Sequence, residues 1–148
     1  MTDTLKFKRE YITSSPEETI KLGKKFAGSL KRGDVVALKG GLGSGKTTFV
    51  QGMVNSFGVK KFARSASFVL VNEYASKTKK LYHMDLYRLS AAGINRLGIE
   101  EYLSNGGVTV IEWADKLKSG ALRPAYSVSF KWLGEQKRKI TVSETAAK

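Results

Sequence analysis

At 148 residues, with 41% hydrophobic and 26% charged side chains, the chain has the size and composition of one ordinary globular domain. No apolar run approaches the ~20 residues of a membrane span, and residues 1–15 are too polar for a secretory signal. With no cysteine and one histidine, disulfides and thiol chemistry are excluded and a zinc site is disfavoured, so the cytoplasm is the expected compartment. The net charge of +13 predicts attraction to polyanions, whether nucleic acid, nucleotide or an acidic protein surface, although the cations are spread along the chain as on a solubilised surface.

In chain order, residues 5–12 read as a short strand, placed at an edge by Lys6, Lys8 and Arg9. Ser15-Pro16-Glu17-Glu18 starts a helix: Ser15 caps it, Pro16 suits the first helical position and Glu18 completes a capping box. The helix is predicted to reach about Leu30, with Ile20, Phe26, Ala27 and Leu30 inward and Gly33 ending it. Residues 35–39 form a buried β-branched strand. After a glycine loop, a second helix spans residues 46–57, with Phe49, Val50, Met53, Val54 and Phe57 on one face and Gly58 as the stop. Residues 68–71 are predicted as a strand, 75–80 as a polar turn, and 81–85 as a strand ending in Asp85. One or two helices follow over 89–105, and 108–111 is a buried strand running into Glu112-Trp113. Residues 127–133 and 138–142 flank Gly134-Glu135 as an antiparallel hairpin. Strands alternating with helices imply an α/β three-layer sandwich of the P-loop type, its sheet mostly parallel with a C-terminal antiparallel hairpin, in one domain over 1–148.

The loop Gly40-Gly41-Leu42-Gly43-Ser44-Gly45-Lys46-Thr47-Thr48 satisfies G-x-x-x-x-G-K-[ST], with a strand before it and a helix after it. Backbone N–H groups wrap an anion only where no Cβ blocks the approach, which explains Gly40, Gly43 and Gly45. The next helix starts at the phosphates, where its unpaired N–H groups favour negative charge. Lys46 then serves the β- and γ-phosphates and the Thr47 hydroxyl serves Mg²⁺. The chain is therefore expected to bind a nucleotide.

Such a site needs a carboxylate at the end of a neighbouring strand, and Asp85 and Glu112 are the two candidates. His83 shares a strand face with Asp85 by alternation; a core histidine is the simpler assignment, a group behind the carboxylates the other. Trp113 is close enough in sequence to stack on a base, though an isolated tryptophan is more often core. Ser65-Ala66-Ser67 offers two hydroxyls to the site, or only a turn cap. No Asn-Lys-x-Asp motif for guanine is present, and no arginine-rich lid is evident, though Arg64, Arg88 and Arg96 keep a kinase reading open.

Beyond the loop, an ordered set of segments resembles one family. The set comprises Glu17-Glu18-Thr19, the loop through Phe49, Ser65 to Tyr74, His83-Met84-Asp85-Leu86-Tyr87-Arg88-Leu89, Gly98-Ile99-Glu100-Glu101-Tyr102 and Ile111-Glu112-Trp113-Ala114. The chain is similar to the bacterial ATPases required for threonylcarbamoyladenosine modification of tRNA, the TsaE (YjeE) type. The resemblance implies that Gly40 to Thr48 bind ATP with Trp113 beside it, and that Thr47, Asp85 and Glu112 serve Mg²⁺. Asp85 and Glu112 would also serve the attacking water, and residues 65–67 would act as a switch-like loop. It further implies slow ATP hydrolysis in support of a TsaB–TsaD pair, with tRNA met directly or through that pair. Two residues depart from the family pattern: Gly41 stands where aspartate is usual, and Ala66 where proline is usual. A small-metabolite or nucleoside kinase and a nucleic-acid-binding module remain as other readings.

Overall fold

The computed structural model describes residues 5–41, 43–59, 71–116 and 124–145. Its strands are β1 (Leu5–Thr13), β2 (Val35–Lys39), β3 (Val71–Ala75), β4 (Lys80–Asp85), β5 (Val108–Glu112), β6 (Tyr126–Trp132) and β7 (Arg138–Thr145); its helices are α1 (Pro16–Ala27), α2 (Lys46–Ser56), α3 (Ala91–Leu97) and α4 (Ile99–Leu103). The strands form one sheet in the order β1-β7-β6-β2-β5-β4-β3. The four central strands, β6, β2, β5 and β4, are parallel, and antiparallel pairs close both flanks. Parallel strands start at one edge of the sheet and finish at the other. The glycine loop, Asp85 and Glu112 therefore all emerge at the carboxyl edge, where open α/β sheets bind ligands.

Burial accounts for the three layers. Phe26 of α1 and Phe49, Val50 and Met53 of α2 pack on Val36, Leu38, Val110 and Val128. On the opposite face Ile99 packs on Val35, Met84, Leu86 and Ile111, with Ile94 and Leu97 of α3 against the same cluster. Strands β2, β4 and β5 are covered on both sides, which is why β2 and β5 read as unbroken apolar runs. Helices α1 and α2 touch through their backbones: a Cβ on Gly52 would run into the carbonyl of Ile20, and one on Gly23 into that of Phe49. This close crossing fixes α2, and with it the base of the phosphate loop.

Two predicted elements differ in detail. Helix α1 stops at Ala27 rather than near Leu30, because Ser29 N–H and Leu30 N–H bond back to Phe26 and Ala27 at 3.1 Å each. The Ser29 hydroxyl also donates to the Phe26 carbonyl at 2.7 Å, so a serine side chain competes for the helix end. Gly33 (φ 86) then turns the chain into β2. At the start of α1, Ser15 accepts from Glu18 N–H at 3.1 Å, but Glu18 reaches back to Ser14 N–H at 2.7 Å rather than to the cap residue. Finally, the strand predicted to end at 71 continues to Ala75, and its predicted residues 68–70 lie outside the described residues. It forms a hairpin with β4 through a turn in which Ser76 N–H donates to the Lys79 carbonyl at 2.8 Å.

Candidate functional site

The loop between β2 and α2 has the backbone of an anion cradle. Gly40 (φ 154) and Gly45 (φ 104) hold conformations that L side chains rarely adopt. A Cβ on Gly40 would also come within 2.7 Å of Ser44 Oγ and 3.1 Å of the Phe130 carbonyl. Gly45 is the cap residue of α2 and supplies no side-chain bond to the helix start, so the first N–H groups of α2 are left for an external acceptor. Ser44 is buried, with no partner for its hydroxyl among the described residues. Thr47 and Thr48 follow in the first turn of α2, half-buried. Beside the loop opens a cleft of about 400 Å³ lined by Leu38, Lys39, Gly40, Gly41, Lys46 and Trp113.

One ion pair dominates this edge. Lys46 Nζ donates to the Gly40 carbonyl at 2.7 Å and pairs with Glu112 Oε1 at 2.7 Å. The other oxygen of Glu112 lies 2.7 Å from His83 Nε2. Glu112 is 4% exposed and His83 fully buried. Burial alone would raise the Glu112 carboxyl, but the hydrogen bonds and charges of His83 and Lys46 outweigh it and hold the group below its ordinary value. Both earlier assignments of His83 therefore hold: it is a core histidine, and it stands directly behind a carboxylate. Asp85 sits beside Glu112 in the β4–β5 register, on the same sheet face, and is half-exposed. Its Oδ1 accepts from Tyr87 N–H at 2.9 Å, which shapes the turn after β4. Two carboxylates and a threonine hydroxyl suit Mg²⁺, which is held by one or two carboxylates together with phosphate oxygens rather than by a full protein cage.

Trp113 is not core. It is 41% exposed, has a positive φ of 61, and packs against the Tyr87 ring with centroids 4.8 Å apart. A non-glycine residue held in this region stores strain, and such positions cluster at ligand sites; here it sets an indole at the mouth of the cleft. Lys116 secures the neighbouring turn by donating to the carbonyls of Tyr87 and Leu89 at 2.7 and 2.8 Å.

The chain matches the family model described as threonylcarbamoyl adenosine biosynthesis protein TsaE over residues 13–140. It belongs to the TsaE family. The TsaE of Bacillus subtilis is 36% identical over 132 residues, covering 89% of this chain and 83% of the relative. The TsaE of Rickettsia felis is 40% identical over 133 residues, covering 88% and 77%. A crystal structure of Bacillus subtilis YdiB superposes with a TM-score of 0.81 at 31% identity, covering 98% of this chain and 90% of that one. The family works in biosynthesis of threonylcarbamoyladenosine in tRNA.

In this TsaE-family chain, the predicted residues Gly40, Gly41, Gly43, Ser44, Gly45, Lys46, Thr47, Thr48, Asp85, Glu112 and Trp113 all lie at the carboxyl edge, and direct contacts join Lys46 to Glu112. Leu42, Arg64 and the predicted switch residues Ser65, Ala66 and Ser67 lie outside the described residues. Arg138 went unsingled in the sequence. Its guanidinium donates to the carbonyls of Gly134, Glu135 and Lys137 and, at 3.0 Å, to that of Gly43 in the loop. Nothing local could reveal that contact, because 95 residues separate the partners and only the pairing of β6 with β2 and β7 brings them together.

Proposed function

We propose that the chain is an Mg²⁺-dependent ATP-binding protein and slow ATPase of the cytoplasm, serving threonylcarbamoyladenosine formation as an accessory to a TsaB–TsaD complex. The observation that carries this reading is Lys46, half-buried at the end of a glycine cradle and paired with Glu112. A lysine in that position is a point charge for phosphate oxygens, and its present partners are groups it can release to them. Mg²⁺, when bound, supplies neutralisation of phosphate charge. Thr47 and Asp85 would hold it, with Glu112 beside them.

The chain's own residues divide the remaining work. The loop N–H groups and the start of α2 orient the phosphates. As Lys46 turns to the nucleotide, Glu112 loses one partner and keeps His83, which leaves Oε1 free to orient a water or accept its proton. Trp113 offers an aromatic face to the base. The choice of ATP over GTP rests on the family. Phosphate release from Mg·ATP, measured with the protein alone and with TsaB–TsaD added, tests the reading. Slow release that responds to the pair supports it. No response to the pair, with phosphate transferred instead to a small acceptor, would favour a kinase.

A further inference from the structure

Parallel strands start together as well as end together, so the loops entering β2, β4 and β5 converge at the amino edge, opposite the nucleotide cleft. They carry Lys31 and Arg32 before β2, Thr78, Lys79 and Lys80 before and within the start of β4, and Gly106 before β5. These line a cleft of about 160 Å³ over Leu30, Phe57 and Val108. Lys31, Arg32, Lys79 and Lys80 are exposed, and among the described residues none of the four carries an ion pair. The one carboxylate at this turn, Asp34, is occupied in accepting from Lys31 N–H at 2.8 Å. Lys79 lies over the Phe57 ring, 5.3 Å from its centroid, and Phe57 is itself buried. Among the described residues the cleft therefore presents cations, a hydroxyl and backbone without an open aromatic face.

We infer that this amino-edge cleft is a docking surface for the phosphate backbone of an RNA. Four cations on three converging loops, with no ion pair among the described residues, complement a polyanion and release its counterions on binding. With no aromatic platform open for stacking among the described residues, the surface is suited to follow backbone and shape rather than to read bases. RNA is favoured over an acidic protein because the family works in biosynthesis of threonylcarbamoyladenosine in tRNA. The inference rests on family membership and on this surface, not on ATP hydrolysis, and it predicts RNA binding that needs no nucleotide.

The test is fluorescence anisotropy with a labelled, unmodified tRNA transcript over a series of salt concentrations. Wild type is compared with Arg32→Gln/Lys79→Gln/Lys80→Gln and with Lys8→Gln/Lys21→Gln/Lys131→Gln, which removes the same charge elsewhere. The amino-edge variant should bind at least about tenfold more weakly, with a log–log salt slope shallower by about 2, while the control variant changes less than about threefold. Equal losses in both variants would mean diffuse attraction and overturn the inference, as would unchanged binding in the first. Binding of labelled polyglutamate by wild type that the amino-edge variant loses, without tRNA binding by wild type, would assign the cleft to an acidic protein instead and likewise overturn it. Mg·ATP binding measured on the same preparations separates the two claims. Loss of RNA binding with ATP binding intact is the expected pattern, and failure of wild type to bind ATP would count against the proposed function alone.

Discussion

The two edges of the sheet use charge in opposite ways. At the carboxyl edge Lys46, Glu112 and His83 are largely buried and satisfy one another at 2.7 Å. At the amino edge Lys31, Arg32, Lys79 and Lys80 are exposed and, among the described residues, unpaired. Buried charges are costly unless paired, so a lysine and a carboxylate placed there interact strongly and in fixed geometry. Exposed cations interact weakly with any single partner and are screened by salt. On the proposed reading, the first edge binds and positions one small anion and the second attracts a large one.

Substitutions should break this contrast in proportion to burial. Glu112→Gln removes the carboxylate charge but keeps the shape, so nucleotide binding should persist while phosphate release falls by about 10²–10⁴-fold. Full activity in that variant would move the role to Asp85. Gly40→Ala places a Cβ against Ser44 and Phe130 in a backbone conformation that resists it. A stability loss of about 1–3 kcal/mol by denaturant unfolding is expected, together with impaired ATP binding. Arg138→Ala frees Gly43 from the hairpin, and we expect ATP affinity to weaken by roughly three- to tenfold, the equivalent of one hydrogen bond of about 1 kcal/mol. Gly41→Asp, by contrast, meets no atom within 4 Å, and its melting temperature should match wild type, as for ordinary surface changes within about 0.5 kcal/mol.

Acid titration sharpens the same contrast. Glu112 is held below its ordinary value, so its ionised form is favoured in the folded state. It contributes stability above the unfolded carboxyl value of about 4.3, and that contribution is lost as pH falls through the lower folded value. Unfolding free energy should therefore drop more steeply below about pH 4 in wild type than in Glu112→Gln. Parallel curves would show that the Lys46–Glu112–His83 contacts add nothing.

The carboxyl edge was legible in the sequence because its signals are local. A glycine spacing, a buried strand before it and a carboxylate after each neighbouring strand suffice to place Lys46, Asp85 and Glu112 together. The direct pairing of Lys46 with Glu112 was not legible, since it depends on the β2–β5 register. Neither was the latch from Arg138, which needs the C-terminal hairpin to enter the sheet beside β2. The exposure of Trp113 overrode its apolar character, because its positive φ (61) follows from the turn after β5. The amino edge was harder still: Lys31, Arg32, Lys79 and Lys80 read as scattered surface charge until parallel strand entry gathers their loops. Gly23 and Gly52, which look like weak points in helices, are where α1 and α2 cross.

The central claim is that Lys46 completes a phosphate site, and calorimetric titration of Mg·ATP into wild type and Lys46→Ala tests it most directly. Losing a charged phosphate contact of about 1.5–3 kcal/mol should weaken binding at least about tenfold. Equal affinity in the two proteins would contradict the account and place the nucleotide, if any, elsewhere.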